Sequence, residues 1–412
     1  MNHISTASDT GPEIKDWLVK RGLAGDTVRQ LVTGLCQRLS TAGLPLVRAF
    51  VGLQTLHPLY GGYAYVWRRG VAELAIDAYL RQGGENKDFL GSPFHYMREN
   101  RLLRFRENLE APVATDYPIY RTFREEGGTD YYVRLFPFGR AEGPAREDGV
   151  MISLLFDRPG GMTESEIVEL EKLLEVFALA ARSAATQATA LSVASTYLGK
   201  DAGQRVMDGD IERGTASSMR AVIYYADLRG FTPLAEKLPG PDLLSTLDDY
   251  LDAMAGGVLR RGGEVLKFLG DGVLAVFEIN DDDTECRIAC RQGMAAGQDA
   301  FAAIKALNET REAAGKPTME LHLALHIGDV LYGNVGVDER LDFTVIGPAV
   351  NEASRIEAMC GELDRSWLVS EAFYQSARHC TDQLEAMGRY QLRGLSGQRA
   401  LYSLPLGGRK AA

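Results

Sequence analysis

Cysteine is scarce in this chain of 412 residues, which has only Cys36, Cys286, Cys290, Cys360 and Cys380. An odd, scattered set excludes a disulfide framework and points to a reducing, cytoplasmic setting. Cys286 and Cys290 lie one helical turn apart, but no third or fourth ligand is adjacent, so both read as small residues buried on a helix. His322 and His326 have the same spacing, yet "LHLALHIG" alternates with period two and reads as a strand. Four strand residues span about 13 Å, too far for both to hold one zinc ion. Both therefore read as structural or surface histidines. Long apolar runs are also missing. No stretch of eighteen apolar residues exists, so no membrane span is predicted. The opening "MNHISTASDTGPEIKDW" lacks a basic start followed by an apolar stretch, so no signal peptide is read. Positive charge is in deficit, with a formal net charge of −11. That argues against a broad nucleic-acid-binding surface, although a small phosphorylated ligand needs only one local cluster of cations or metal. No Gly-x-x-x-x-Gly-Lys-Ser/Thr loop is present, which leaves a Walker-type nucleotide triphosphatase unsupported.

What is present is ordinary globular composition, 45% hydrophobic and 25% charged, at a length that fits two or three domains. Residues 12–42 carry apolar positions at helical spacing (Trp17, Leu18, Leu31, Leu35, Leu39), broken near Gly22 and Gly25. Residues 45–157 are mixed. "YAYVW", "YYVRLFPF" and "GVMISLLFD" read as strands, separated by the turn-rich "REEGGTD" and "RAEGPARED". An α+β domain over residues 1–162 would fit this order. A helix starts at Thr163, which forms a capping-box pattern with Glu166. Ile167, Leu170, Leu174, Phe177 and Ala181 follow at spacings of 3, 4, 3 and 4. That heptad seam suits either a partner helix or the helix's own domain. A polar segment, 199–219, completes a helix-and-linker region over 163–219.

From residue 220 to about 405 the pattern changes. "AVIYYADL" is a strand and "PDLLSTLDDYLDAMAGGVLRR" a helix. "GEVLKFL" and "GVLAVFE" form a hairpin, and a long helix begins at "TECRIAC". "MELHLALHIG" and "DVLYGNVG" read as a second hairpin, and "PAVNEASRIEAM" as a helix. The order β-α-β-β-α-β predicts a ferredoxin-like scaffold within an α+β chain. Its first strand lies beside the first hairpin, so Asp227 at the strand end and Asp271 at the hairpin tip can face each other. Two such carboxylates repel unless a cation lies between them. Oxygen ligands without cysteine or histidine suit Mg²⁺ or Mn²⁺. The loop "LRGFT" could offer backbone N–H groups to phosphates. Asn351 and Arg355 stand i and i+4 on one helix, a donor surface suited to negative charge developing on phosphate.

"YYADLRGFT", "LKFLGDGVLAVF", "HIGDVLYGNVG" and "DFTVIGPAVNEASRIE", in that order and spacing, resemble the class III nucleotidyl cyclase catalytic domain over about residues 215–405. The resemblance implies two divalent cations held by Asp227, Asp271 and the backbone carbonyl of Leu228. It implies transition-state donation by Asn351 and Arg355, and purine reading by Lys267 and Thr344. Arg393, in "YQLRGLSG", and Arg365 are candidates for holding the terminal phosphates. It further implies a homodimer whose sites are shared across the interface. Lys267 can donate to adenine N1 and Thr344 can accept from the 6-amino group, whereas guanine would prefer a carboxylate where Lys267 stands. The residues therefore read as the ATP-using, adenylate type, with a guanylate cyclase and a non-catalytic nucleotide-binding module as alternatives. Pro348 departs from the polar residue, often Asp, common at its position, and suits the first turn of a helix. "GVMISLLFDRPGGMTESEIVELEKLLEVFALAARSA" loosely resembles the end of a GAF-like sensor, which implies an unidentified small-molecule or protein effector for residues 1–162.

Overall fold

The computed structural model describes residues 11–81, 87–113, 115–138, 149–280, 283–378, 380 and 383–404. The turn-rich "RAEGPARED" and most of the opening segment lie outside them. The chain divides into two compact units, Met1–Val193 and Ala194–Ala412.

The first unit begins with α1 (Gly11–Leu23) and α2 (Val28–Thr41). The break comes at the Gly25 left-handed turn, after which Thr27 and Gln30 close a reciprocal capping box on α2. β1 (Leu46–Gln54), β2 (Tyr60–Arg68) and β3 (Ala75–Leu80) follow, then the short helices α3 (Lys87–Leu90) and α4 (Pro93–Glu99). β4 (Arg104–Asn108), α5 (Pro118–Glu125), β5 (Asp130–Pro137) and β6 (Gly149–Phe156) complete an antiparallel sheet ordered β3-β2-β1-β6-β5-β4. Strand alternation sends Ala49, Val51 and Leu53 of β1 to one face, where they pack with α1, α2 and α6 (Glu164–Leu198). The opposite face carries a second apolar cluster with Met97, Tyr120, Phe123 and Tyr131.

α6 starts as its sequence predicts. The Thr163 N–H and hydroxyl both donate to Glu166, and the Glu166 N–H donates back to Thr163 Oγ1 at 3.3 Å. The seam of Ile167, Leu170, Leu174, Phe177 and Ala181 is buried against the unit's own sheet and helices. Of the two roles the spacing allowed, these five residues serve the domain core rather than a partner helix.

The second unit opens with α7 (Lys200–Met207), a helix inside the segment that reads as polar linker, with Ala202 fully buried. β7 (Ala216–Arg229), α8 (Phe231–Ala235), α9 (Gly240–Arg260), β8 (Glu264–Leu269), β9 (Gly272–Ile279), α10 (Asp283–Ala313) and β10 (Glu320–Val337) trace β-α-β-β-α-β. β11 (Arg340–Ile346), α11 (Pro348–Glu362), β12 (Trp367–Ser370), α12 (Glu371–Ala377), β13 (Glu385–Gln391) and β14 (Gln398–Ser403) follow. The central order β10-β7-β9-β8 is fourth, first, third, second, the ferredoxin-like arrangement. Val222, Tyr224, Ala226 and Phe277 face α9 and α10, while Ala221, Ile223, Ala349 and Ala353 pack on the other face.

One expectation is overturned. "HIGDVLYGNVG" is not a hairpin but the middle of β10, which runs unbroken for 18 residues. The real reversal lies between Val337 and Arg340, where β10 pairs with β11. The Gly-Asp pair reads as a turn, but Gly328 answers to close approach instead: a Cβ there would sit 2.4 Å from that of Ala349. Its glycine lets α11 lie against the sheet.

Because Phe177 is fully buried in the first unit's core, Phe177→Ala should destabilise that unit by about 3–5 kcal/mol. Chemical denaturation read out on the Met1–Val193 transition would check this, and a loss below about 1 kcal/mol would return the seam to an interhelical role.

Candidate active site

The site starts from strand order. β7 pairs antiparallel with β9 up to Ala226–Val273, so the end of β7 and the β8–β9 turn meet. That turn is two residues, Gly270 and Asp271, and Gly270 adopts φ +71°, which glycine tolerates without cost. Asp227 and Asp271 consequently approach closely enough for a protonated Asp227 to hydrogen-bond its neighbour. The Asp227 carboxyl is pushed up to about 6, first by burial, then by the charge of Asp271, then by Glu357. The backbone N–H of Leu228 donates to Asp227 Oδ1 at 2.7 Å and opposes that rise only in part. The Leu228 side chain is buried in the core. A hard divalent cation fits such a pair: two oxygen donors hold unneutralised charge, and among the described residues no cluster of three or more His, Cys, Asp or Glu competes for a softer metal.

Two neighbours of this pair were not legible from spacing. His322 is the cross-strand partner of Asp227, and its Nδ1 lies 3.6 Å from Glu357 Oε1, both side chains being largely buried. The sheet register that brings them together has no local sequence signal. His326 is buried, consistent with a structural histidine, and burial lowers its pKa. Cys290 is buried and Cys286 half-buried on α10.

A second group forms around β11. Thr344 and Asp342 are two apart and share a strand face, opposite the buried Phe343 and Val345. The Lys267 ammonium pairs with Asp342. The structure thus brings Lys267 to the strand that carries Thr344, through an acidic residue that the spacing did not single out.

α11 begins at Pro348, which occupies its first turn. Ala353, Ile356 and Cys360 are buried, whereas Asn351 and Arg355 are exposed on the other side of the helix. Glu357, the residue whose charge reaches Asp227, is six and two positions further on. At 100° per residue it points some 200–240° away from Asn351 and Arg355. Within one chain, therefore, the donor pair and the carboxylate pair are not brought together. Arg393 is exposed between β13 and β14, and Arg365 is exposed with Nη1 3.1 Å from the carbonyl of Asp364. Neither joins the other site residues through a hydrogen bond or ion pair in the geometry described.

Residues 215–405, just under half of the chain, match the family model of the adenylate and guanylate cyclase catalytic domain, that of the class III nucleotidyl cyclases. An adenylate cyclase of Anabaena cylindrica is 33% identical over 163 residues, covering 40% of this chain and 32% of that protein. Adenylate cyclase 1 of Rhizobium meliloti (strain 1021) is 28% identical over 183 residues, covering 44% of this chain and 26% of its own length. The chain thus spans about a third or less of these curated relatives. The adenylyl cyclase CyaB from P. aeruginosa, a solved structure, is 26% identical with a TM-score of 0.43, over 48% of this chain and all of that one. The family match leaves residues 1–214 outside, so the GAF-like reading gains no support from it. Among the described residues no helix is long and apolar enough to cross a membrane.

The raised Asp227 carboxyl sets a pH dependence. Its folded value, about 6, exceeds the ordinary 3.8 of an aspartate. Its contribution to stability is therefore fully present below about 3.8 and is lost as pH rises through about 6. With divalent cations chelated, Asp227→Asn, which cannot ionise, should gain thermal stability on the wild type as pH rises through this window. Saturating Mn²⁺ should shrink the gain by stabilising only the wild type. Calorimetry on both proteins would test this, and a constant difference in Tm across the window would refute it.

Proposed function

We propose that the chain is an adenylate cyclase, converting ATP to 3′,5′-cyclic AMP and pyrophosphate. The observation that carries the reading is the unneutralised Asp227–Asp271 pair at neighbouring strand ends of a domain from the cyclase family. Asp227 and Asp271, with the Leu228 carbonyl, would hold two Mg²⁺ or Mn²⁺ ions. Bound there, the ions supply charge neutralisation on the triphosphate and acidify the ribose 3′-hydroxyl. The 3′-oxygen forms a bond to the α-phosphorus as the bond to the bridging oxygen of pyrophosphate breaks. Asn351 and Arg355 donate to the charge that develops on the α-phosphate, and Arg393 is placed in this reading at the terminal phosphates.

Lys267 donating to N1 and Thr344 accepting from the 6-amino group favour adenine over guanine. Asp342 holds the Lys267 ammonium beside the strand that carries Thr344. Asp342 also changes the design of a specificity switch. Lys267→Glu alone would set a carboxylate against Asp342, and like charges so close oppose one another. Lys267→Glu with Thr344→Cys should therefore turn over poorly, and adding Asp342→Asn should raise the GTP-to-ATP ratio of kcat/KM. If that ratio matches the wild type in an active triple variant, these residues do not read the base.

The opposed faces of α11 favour a homodimer in which one protomer gives the two aspartates and its partner gives Asn351 and Arg355. We further assign residues 1–162 a sensing role, upstream of the helix and linker of 163–219 and a catalytic region over 220–405.

Incubation of the purified chain with Mn²⁺ and ATP or GTP, with identification of the product, tests the assignment directly. Cyclic AMP is expected; cyclic GMP would favour a guanylate cyclase, and no product from either would favour a binding module. Asp227→Ala and Arg355→Ala homodimers should each be nearly inactive. An equal mixture with free subunit exchange makes half the dimers mixed, each with one intact site, so activity should return to about a quarter of wild type. A mixture that stays inactive after demonstrated exchange would rule out shared sites.

A further inference from the structure

The first unit encloses a cavity of about 920 Å³, the size of a site for a drug-sized molecule. It lies on the sheet face opposite α1, α2 and α6. Strand alternation places Arg48, Phe50 and Gly52 of β1 on that face, with Ser153 and Met151 directly across on β6. Residues of α3, α4 and α5, among them Phe89, Phe94 and Phe123, close over it. The lining is dominated by aromatic and aliphatic side chains.

Arg48 is the exception. Arg48 is half-buried, and its guanidinium lies 5.3 Å from the Phe123 ring. Among the described residues it has no hydrogen bond and no ion pair. The charged groups that influence it are Arg68 on β2 and Glu126 just after α5, and Tyr131 and Tyr79 are the nearest phenols. Glu126 is shared: its Oε1 accepts from Arg68 Nε at 3.2 Å, and its charge also reaches Arg48. Two guanidiniums against one carboxylate leave one positive charge at the cavity wall. Burial pulls the Arg48 guanidinium below its ordinary value, yet arginine stays charged at neutral pH. The Ser153 hydroxyl is buried beside that of Tyr131, on the cavity wall. A second guanidinium, Arg98, also lines the cavity, but it stacks on Phe89 at 4.7 Å and contacts His95.

A half-buried charge without a partner carries a desolvation cost. Here it faces a space large enough for a ligand and ringed by flat apolar side chains. We propose that this cavity binds a small organic acid with an aromatic body, its carboxylate paired with Arg48 and its rings packed among Phe50, Phe94 and Phe123. Ser153 supplies a further hydroxyl to the carboxylate. This names the chemical class of effector for the sensing role assigned to the first unit, and stands independently of the nucleotide chemistry.

The test uses the full chain, titrated calorimetrically with naphthylacetate and with its uncharged isostere naphthylethanol. A charge-assisted hydrogen bond in a desolvated site predicts that the acid binds at least about tenfold more tightly. Arg48→Met should bring the acid down to the alcohol's affinity and leave the alcohol within about threefold. Arg48→Lys, which keeps the charge, should retain part of the preference. Equal binding of acid and alcohol by the wild type, no binding of either, or a preference that survives Arg48→Met would each overturn the proposal. Should Arg48→Met fail to fold by circular dichroism, the wild-type ratio decides alone. Since none of these readouts is cyclase activity, failure here is distinguishable from failure of the catalytic assignment.

Discussion

Two like charges held close in a partly buried place are the constraint on which the second unit turns. Asp227 and Asp271 meet because the first and third strands of the ferredoxin-like order are neighbours and because a two-residue turn holds the second carboxylate at the tip. Partial burial and the charge of Asp271 both disfavour the ionised form of Asp227. Together they push the Asp227 carboxyl up, burial first, and the single Leu228 N–H that favours its ionised form does not prevail. A carboxylate meant only for stability would have a cationic partner, as Asp130 has: buried, it accepts from Arg106 Nε at 3.0 Å and Nη2 at 2.8 Å, and from the Met162 N–H. The contrast separates an acid that the chain has satisfied from one left for something outside it.

The same partition by periodicity governs α11. Its small and apolar residues, Ala353, Ile356 and Cys360, face the sheet, and Gly328 lets the helix come close. Glu357 turns toward Asp227, which leaves Asn351 and Arg355 no route to their own chain's carboxylates. A helix cannot present both sets to one point, since residues two apart diverge by about 200°. Site sharing between protomers, as proposed, is a consequence of a helix that must first pack on its own sheet.

Much of this was legible in the sequence, and the failures share a cause. The strand order and the Asp227–Asp271 encounter followed from alternation and turn chemistry, which are local. The capping box at Thr163 and Glu166 is likewise local, and forms. "HIGDVLYG" misled because a glycine in a strand can mean a turn or a close neighbour, and only the neighbour, Ala349, decides. The heptad seam of α6 could equally serve a partner helix or a domain core, and periodicity says nothing of which. His322, Glu357 and Asp342 were missed because cross-strand register and the facing of a helix bring them to the site. No spacing records either.

The cavity was invisible for the same reason: its walls come from five strands and three short helices, and "LVRAF" looks like any strand with one exposed cation. Only the sheet shows that Arg48 points inward and that Glu126, the nearest acid, is held by Arg68. Most charged side chains that the fold brings close to others are answered: Lys267 by Asp342, Arg261 by Asp299, Arg399 by Glu352. Such pairs are nearly neutral for stability at the surface and carry little information. Arg48 and the Asp227–Asp271 pair are instead charges that folding has partly desolvated with only partial compensation. Desolvation without pairing lowers the stability of a fold. That cost is what the two proposed sites have in common: each would be relieved by a molecule of opposite charge, an anion in the first unit and cations in the second.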